Sequence, residues 1–216
     1  MSNLTMAQAK AVGADLAQEY RLTIVESDSP LVKVTVTALK VLLALIPVVG
    51  PLAIVAITKA EENFGRVSVT LPLPWGGSLV ILSDYATDTP EDYLCTVTHE
   101  AGHGKHTLDI GGWQAAVDYL ASVEMRAAAE AMPYALGLWV RYLLTGVVPD
   151  ASGPHASLAS NTYHLPVEHQ HLAHDQIESN LATIRNGLPP PIATAVFVLA
   201  SMRRHCPAAI DPQQHR

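Results

Sequence analysis

The spacing of apolar positions predicts an N-terminal helix, then strands in the rest of the first half of the chain, and mostly helices in the second half. Residues 66–73 and 78–83 indicate two strands joined by a turn at residues 74–77. Residues 31–37 alternate valine with lysine and threonine, which predicts a further half-buried strand. Helical spacing or composition marks residues 1–20, 113–132, 134–145, 166–186 and 192–202, and a short apolar segment covers residues 22–25.

These elements predict an α+β fold, in which a small antiparallel or mixed sheet precedes a mostly helical C-terminal half. The length of 216 residues and the 49% apolar composition suffice for one core, so we expect a single domain over residues 1–216. Residues 146–165 are rich in Gly, Pro, Ser and Asn and predict a surface loop, with a mobile lid as the alternative.

One apolar segment affects the expected location of the protein. Residues 41–57 carry no charge and lie between Lys40 and Lys59. A helix of this length would span about 25 Å, short of a bilayer core of about 30 Å, and two prolines and a glycine interrupt it. We interpret residues 38–60 as a buried or partner-contacting helical hairpin, and the alternative is insertion into a membrane.

Charge and cysteine content exclude some classes of function. The net charge is −7 and there is no basic stripe, so we expect no nucleic-acid partner. Two cysteines do not form a disulfide framework. Residues 1–20 are polar and lack the pattern of a signal peptide, so we expect a cytoplasmic or membrane-associated location.

The strongest chemical signal is the string His99-Glu100-Ala101-Gly102-His103. On a helix, residues four apart lie on one face, so both imidazoles can bind one metal ion. Glu100 would then project beside the metal, where its carboxylate can take a proton from a bound water. The string therefore predicts a Zn²⁺ site with His99 and His103 as ligands and Glu100 as the general base.

The residues around this string predict that it lies within one helix. Thr89 can cap the N-terminus of the helix, and proline is favoured at the first helical position, where Pro90 stands. The acidic Glu91 and Asp92 would lie in the first turn, where the helix dipole favours negative charge. Asp92 stands three residues after the cap, as in a capping box. The pair of glycines at 111–112 predicts the end of the helix.

The motif resembles the active-site helix of the zincin metallopeptidases, and the resemblance covers at most residues 66–135. It implies a zincin-like fold in which a sheet edge before the helix holds an extended substrate. It also implies that the substrate is a peptide or protein, and that Glu100 returns its proton to the departing amine. Two alternatives stay open: a catalytically silent metal-binding protein with a structural or assembly role, and a membrane-associated protein that inserts through residues 41–57.

Several residues are candidates for the third metal ligand. Glu124 with Ala127 resembles the E-x-x-A element of gluzincins, which makes Glu124 the preferred ligand. Glu130 lies about 240° further round the same helix, so the two glutamates cannot both face the metal. A solvated helix face is the alternative for each, and for Glu130, which stands four residues after Arg126, we favour that interpretation. Asp109 occupies the metzincin position, but His106 stands where that pattern requires glycine. His106 itself would lie too far along the helix from His99.

A zincin site also needs a donor for the oxyanion that forms on the attacked carbonyl. His171 and His174 are candidates on the helix predicted over residues 166–186, and Tyr134 and Tyr119 are others. A partly buried, hydrogen-bonded side chain is the alternative for each histidine.

Overall fold

The computed structural model describes residues 3–44, 54, 57–58, 61–62, 64–73, 76–160, 163 and 165–210. Over these residues the protein combines a three-stranded sheet with eight α-helices and two short 3-10 helices. The strands are β1 (Leu22–Glu26), β2 (Val69–Pro72) and β3 (Ser78–Leu82). The helices are α1 (Met6–Tyr20), α2 (Pro30–Ala44), α3 (Pro90–Ile110), α4 (Gly112–Ala121), α5 (Val123–Thr145), α6 (Ser152–Leu158), α7 (Val167–Arg185) and α8 (Ala193–His205). The α+β class and the small mixed sheet are thereby confirmed.

The sheet has the order β1-β3-β2, with β1 parallel and β2 antiparallel to β3. Every residue of β3 is buried, because the strand lies between two apolar layers. Its side chains alternate between them: Leu79 and Ile81 join the layer that α2 covers, while Val80 and Leu82 face the larger helical core. Strand β2 is an edge of the described sheet, and α3 packs close to it.

The prediction of a strand over residues 31–37 is wrong, because these residues belong to helix α2. Val32, Val36 and Leu39 are buried at a spacing of three and four residues, which is the period of a helix. The valine alternation is compatible with both structures, and packing of one helical face on the sheet outweighs the β preference of valine. Residues 22–25, by contrast, lie in strand β1.

The C-terminal helices follow the sequence closely, with two changes of boundary. The helix predicted over residues 113–132 is divided at Ser122, where α4 ends and α5 begins. Pro133 does not end α5, which continues through it to Thr145. The loop predicted over residues 146–165 contains the short helix α6.

The apolar residues 41–57 lie mostly outside the described residues, so the hairpin and the membrane insertion both stay predictions. Within the described part of the chain, no helix has the length and apolar character of a membrane span.

Candidate metal centre

Helix α3 carries the histidine motif and begins as the sequence predicts. The hydroxyl of Thr89 accepts a hydrogen bond from the backbone N–H of Asp92 at 3.1 Å, and Pro90 follows the cap. The Thr89 hydroxyl also donates to the Asp92 carboxylate at 2.7 Å. The helix ends before Gly111, whose φ of 88° favours glycine. The motif therefore lies in the middle of a well-capped helix, as the predicted chemistry requires.

The two histidines of the motif face one point beside the helix. The Nε2 atoms of His99 and His103 lie 3.2 Å apart. Their side chains are 14% and 15% exposed, so both rings are mostly buried but still in contact with solvent.

Glu130 of helix α5 completes a group of three donor atoms. Its Oε2 lies 3.7 Å from His99 Nε2 and 3.5 Å from His103 Nε2, and no other group with at least three such donors occurs among the described residues. Ligands about 2.1 Å from a tetrahedral zinc ion are separated by about 3.4 Å. The separations of 3.2 Å, 3.5 Å and 3.7 Å lie near this value, so a point just outside the plane of the three atoms is about 2.1 Å from each of them. The donor set thus fits a tetrahedral cation that keeps its fourth position open.

Glu130 reaches this point because α3 and α5 approach closely. Gly102, between the two histidines, faces Pro133, and a Cβ atom built on Gly102 would lie 3.2 Å from the Pro133 Cα. Glu130 precedes Pro133 by three residues and so lies on the same face of α5. Glycine at position 102 therefore lets the third donor come within reach of the histidines.

The other candidates for the third ligand lie outside the group. Glu124, preferred on the sequence resemblance, is exposed in the first turn of α5, and the structure brings Glu130 rather than Glu124 to the two histidines. The physical reason is helix phase: the six-residue separation turns Glu124 away from the face that carries Glu130. Asp109 is exposed and forms an ion pair with Lys105. His106 is absent from the three-donor group.

Within the group, Glu130 and His103 each stabilise the charged form of the other. Burial raises the pKa of Glu130, but the neighbouring His103 and His99 outweigh this effect and hold the pKa well below its usual value. Burial lowers the pKa of His103, but the Glu130 carboxylate outweighs it and raises the pKa. Glu130 is 3% exposed, so the solvated helix face favoured for it is wrong, because α5 packs this residue against α3. Its Oε2 has no hydrogen-bond partner. An ionised, buried oxygen without a hydrogen bond is suited to bind a cation.

Glu100, the expected general base, is also buried, at 3% exposure. Its Oε2 accepts a hydrogen bond from the hydroxyl of Thr70 at 2.6 Å. Thr70 lies on β2, so the sheet fixes one oxygen of this carboxylate. The sequence contained no signal for Thr70, because the contact joins residues 30 positions apart.

Tyrosines surround the three-donor group. Tyr119 donates a hydrogen bond to Glu130 Oε1 at 2.8 Å. The ring of Tyr134 lies edge-on to His99 with centroids 4.6 Å apart, and its hydroxyl is bonded to Ser157 at 2.7 Å and to Tyr163 at 3.0 Å. Burial raises the pKa of Tyr119 and of Tyr134. Both phenols therefore keep their protons as hydrogen-bond donors.

The remaining oxyanion candidates lie on helix α7. His174 stacks on His155 of helix α6 with centroids 4.0 Å apart, and His171 meets His174 edge-on at 6.3 Å. His171 is exposed. The oxyanion role of His171, His174 and Tyr134 stays a prediction, and of the three only the ring of Tyr134 packs against a residue of the metal group.

Comparisons of the chain with protein-family models, with curated proteins and with solved structures give no match. The basis for a function is therefore the geometry of the site.

Proposed function

We propose that the protein is a zinc-dependent metallopeptidase of the zincin type. The observation that carries the proposal is the separation of three donor atoms by 3.2 Å, 3.5 Å and 3.7 Å. Two imidazoles and one carboxylate with an open side are typical of catalytic zinc sites, because structural sites are usually closed by a fourth protein ligand. The partial exposure of both histidines supports such an open position.

The second support is the position of Glu100. It is adjacent to His99 in a helix whose next turn carries His103, and Thr70 holds one of its two carboxylate oxygens. The other oxygen is then available to take a proton from a water at the site and later to deliver it to the departing amine. Bound zinc would supply Lewis acidity, which lowers the pKa of a water toward neutrality.

The third support is the arrangement around the motif helix. Strand β2 is an edge strand, and its Thr70 contacts the expected general base. An extended peptide added to such an edge would lie beside Glu100. The E-x-x-A element does not provide the ligand in this proposal, because Glu130 takes the place of Glu124.

The test compares cleavage of a peptide library by zinc-reconstituted wild type, Glu100→Gln and Glu124→Gln, with zinc content measured on the same samples. Glutamine keeps the size of Glu100 and can still accept the hydrogen bond from Thr70, so we expect normal zinc content. Without the general base, cleavage should fall at least about 100-fold. Glu124→Gln is the matched control and should cleave like wild type.

Two results would contradict the proposal. Undiminished cleavage by Glu100→Gln would show that Glu100 is not the general base. A wild type that holds zinc and cleaves no member of the library would instead favour the alternative of a catalytically silent metal-binding protein.

A further inference from the structure

The two carboxylate oxygens of Glu130 have different surroundings. Oε1 accepts the hydrogen bond from Tyr119 at 2.8 Å. Oε2 faces His99 and His103 and has no hydrogen-bond partner. The carboxylate is thus held by one oxygen, while the other is free for a cation.

Tyr119 is itself fixed by Arg126. The Arg126 Nε donates to the carbonyl of Tyr119 at 2.9 Å, and Nη2 donates to the carbonyl of Leu120 at 3.3 Å. These carbonyls belong to the last turn of α4, where helical partners are missing. The guanidinium carbon also lies 5.6 Å from the centre of the Tyr119 ring. Main chain and ring of Tyr119 are therefore both held by one side chain.

The same arginine connects to the second tyrosine on the site. Its Nη1 donates to the carbonyl of Tyr163 at 3.1 Å, and Tyr163 is hydrogen-bonded to Tyr134, whose ring packs on His99. Two of the three donor residues, Glu130 and His99, are thus in contact with tyrosines that Arg126 organises.

We propose that Tyr119 is a positioning residue of the metal centre, whose hydroxyl holds Glu130 Oε1 so that the carboxylate binds the cation through Oε2 alone. This role rests on the metal centre proposed above. Removal of a side chain that hydrogen-bonds to a metal ligand and orients it typically lowers metal affinity by about 10–100-fold.

Tyr119→Phe removes only the hydroxyl and leaves Oε1 buried without a donor. The carboxylate is then free to turn both oxygens toward the cation, which raises the coordination number and distorts the site. We expect zinc affinity, measured by competition with a chelator, to fall about 10–100-fold. The Co²⁺-substituted variant should show weaker visible absorption than cobalt wild type, as a five-coordinate ion does relative to a four-coordinate one. A purely structural hydroxyl would not change this spectrum.

The matched control is Tyr142→Phe. Tyr142 is buried on α5, about three turns beyond Glu130, and its ring contacts Trp139 rather than the site. Its loss should leave the zinc affinity and the cobalt spectrum unchanged. Urea unfolding of the metal-free variants reports whether each chain is folded before metal is added.

The outcomes separate this role from the proposed function. Wild-type zinc affinity and a wild-type cobalt spectrum in Tyr119→Phe would overturn the role of Tyr119 and leave the metal centre intact. An unfolded metal-free Tyr119→Phe would also overturn it, because Tyr119 would then serve the fold. A wild type that binds neither metal would overturn the metal centre and this role together.

Discussion

Gly102→Ala tests whether the close approach of α3 and α5 determines the metal centre. The added Cβ would lie 3.1 Å from Leu136 Cδ1, 3.1 Å from Pro133 Cγ and 3.2 Å from Pro133 Cα. Carbon atoms in good contact are about 3.5–4.0 Å apart. Because Pro133 is a rigid ring within a helix and Leu136 is fully buried, these neighbours can make room only if the two helices shift by a few tenths of an ångström.

The expected magnitudes differ for stability and for metal binding. Overpacking costs about 1–3 kcal/mol, and the higher helix propensity of alanine offsets about 1 kcal/mol of this. The free energy of unfolding should therefore fall by no more than about 2 kcal/mol. This shift would displace Glu130 relative to the two histidines, and disturbing the position of a metal ligand typically lowers metal affinity about 10–100-fold, so zinc affinity should fall at least about tenfold.

The assay is urea unfolding of the metal-free protein together with chelator competition for zinc. Gly137→Ala is the matched control, because it lies on the same helix interface and its Cβ would meet only the Cys95 carbonyl oxygen, at 3.4 Å. It should keep wild-type zinc affinity and gain up to about 1 kcal/mol in stability. Wild-type zinc affinity in Gly102→Ala would refute the link between helix approach and ligand position.

Two further predictions concern other contacts. Thr70→Val removes the hydrogen bond to Glu100, so kcat should fall about tenfold while zinc affinity stays unchanged. Thr70→Ser keeps the hydroxyl and should restore kcat. A loss of zinc in Thr70→Val would show that Thr70 supports the metal instead. Burial is the main cause that lowers the pKa of His174, and the nearby His155 and His171 add to it. As the pH falls through about 6.5, the unfolded chain therefore binds a proton at this histidine more readily than the folded chain does. The stability from this effect is present above about pH 6.5 and lost as the pH falls. When urea unfolding is measured at about pH 7.5 and 5.5, His174→Phe should therefore lose less free energy of unfolding than wild type between the two pH values. Equal losses would exclude His174 as the cause.

Local patterns predicted the motif helix well. Thr89, Pro90 and Gly111 act within a few residues of themselves, so their effects on α3 follow from sequence neighbours alone. The spacing of His99 and His103 likewise sets their common face through helix geometry. Strands β2 and β3 were found because their turn and their apolar runs are adjacent in sequence.

The errors arise where distant residues decide the structure. Helix α2 forms where valine alternation predicted a strand, because Val32 and Val36 share an apolar cluster with Leu71 of β2 and Ile81 of β3, which lie far along the chain. The choice between Glu124 and Glu130 depends on how α5 packs on α3, which the spacing within α5 does not specify. Thr70 and Tyr119 contact the site through the folded arrangement, so no local pattern identified their partners.

The most direct test of the metal centre is the zinc content of wild type, Glu130→Gln and Glu124→Gln, purified side by side and supplied with zinc. Both variants remove one carboxylate charge from the same helix, six residues apart, but only Glu130 faces the two histidines. We predict about one zinc per chain in wild type and in Glu124→Gln, and its loss in Glu130→Gln. Wild-type zinc content in Glu130→Gln, or a wild type that holds no zinc, would contradict the centre formed by His99, His103 and Glu130.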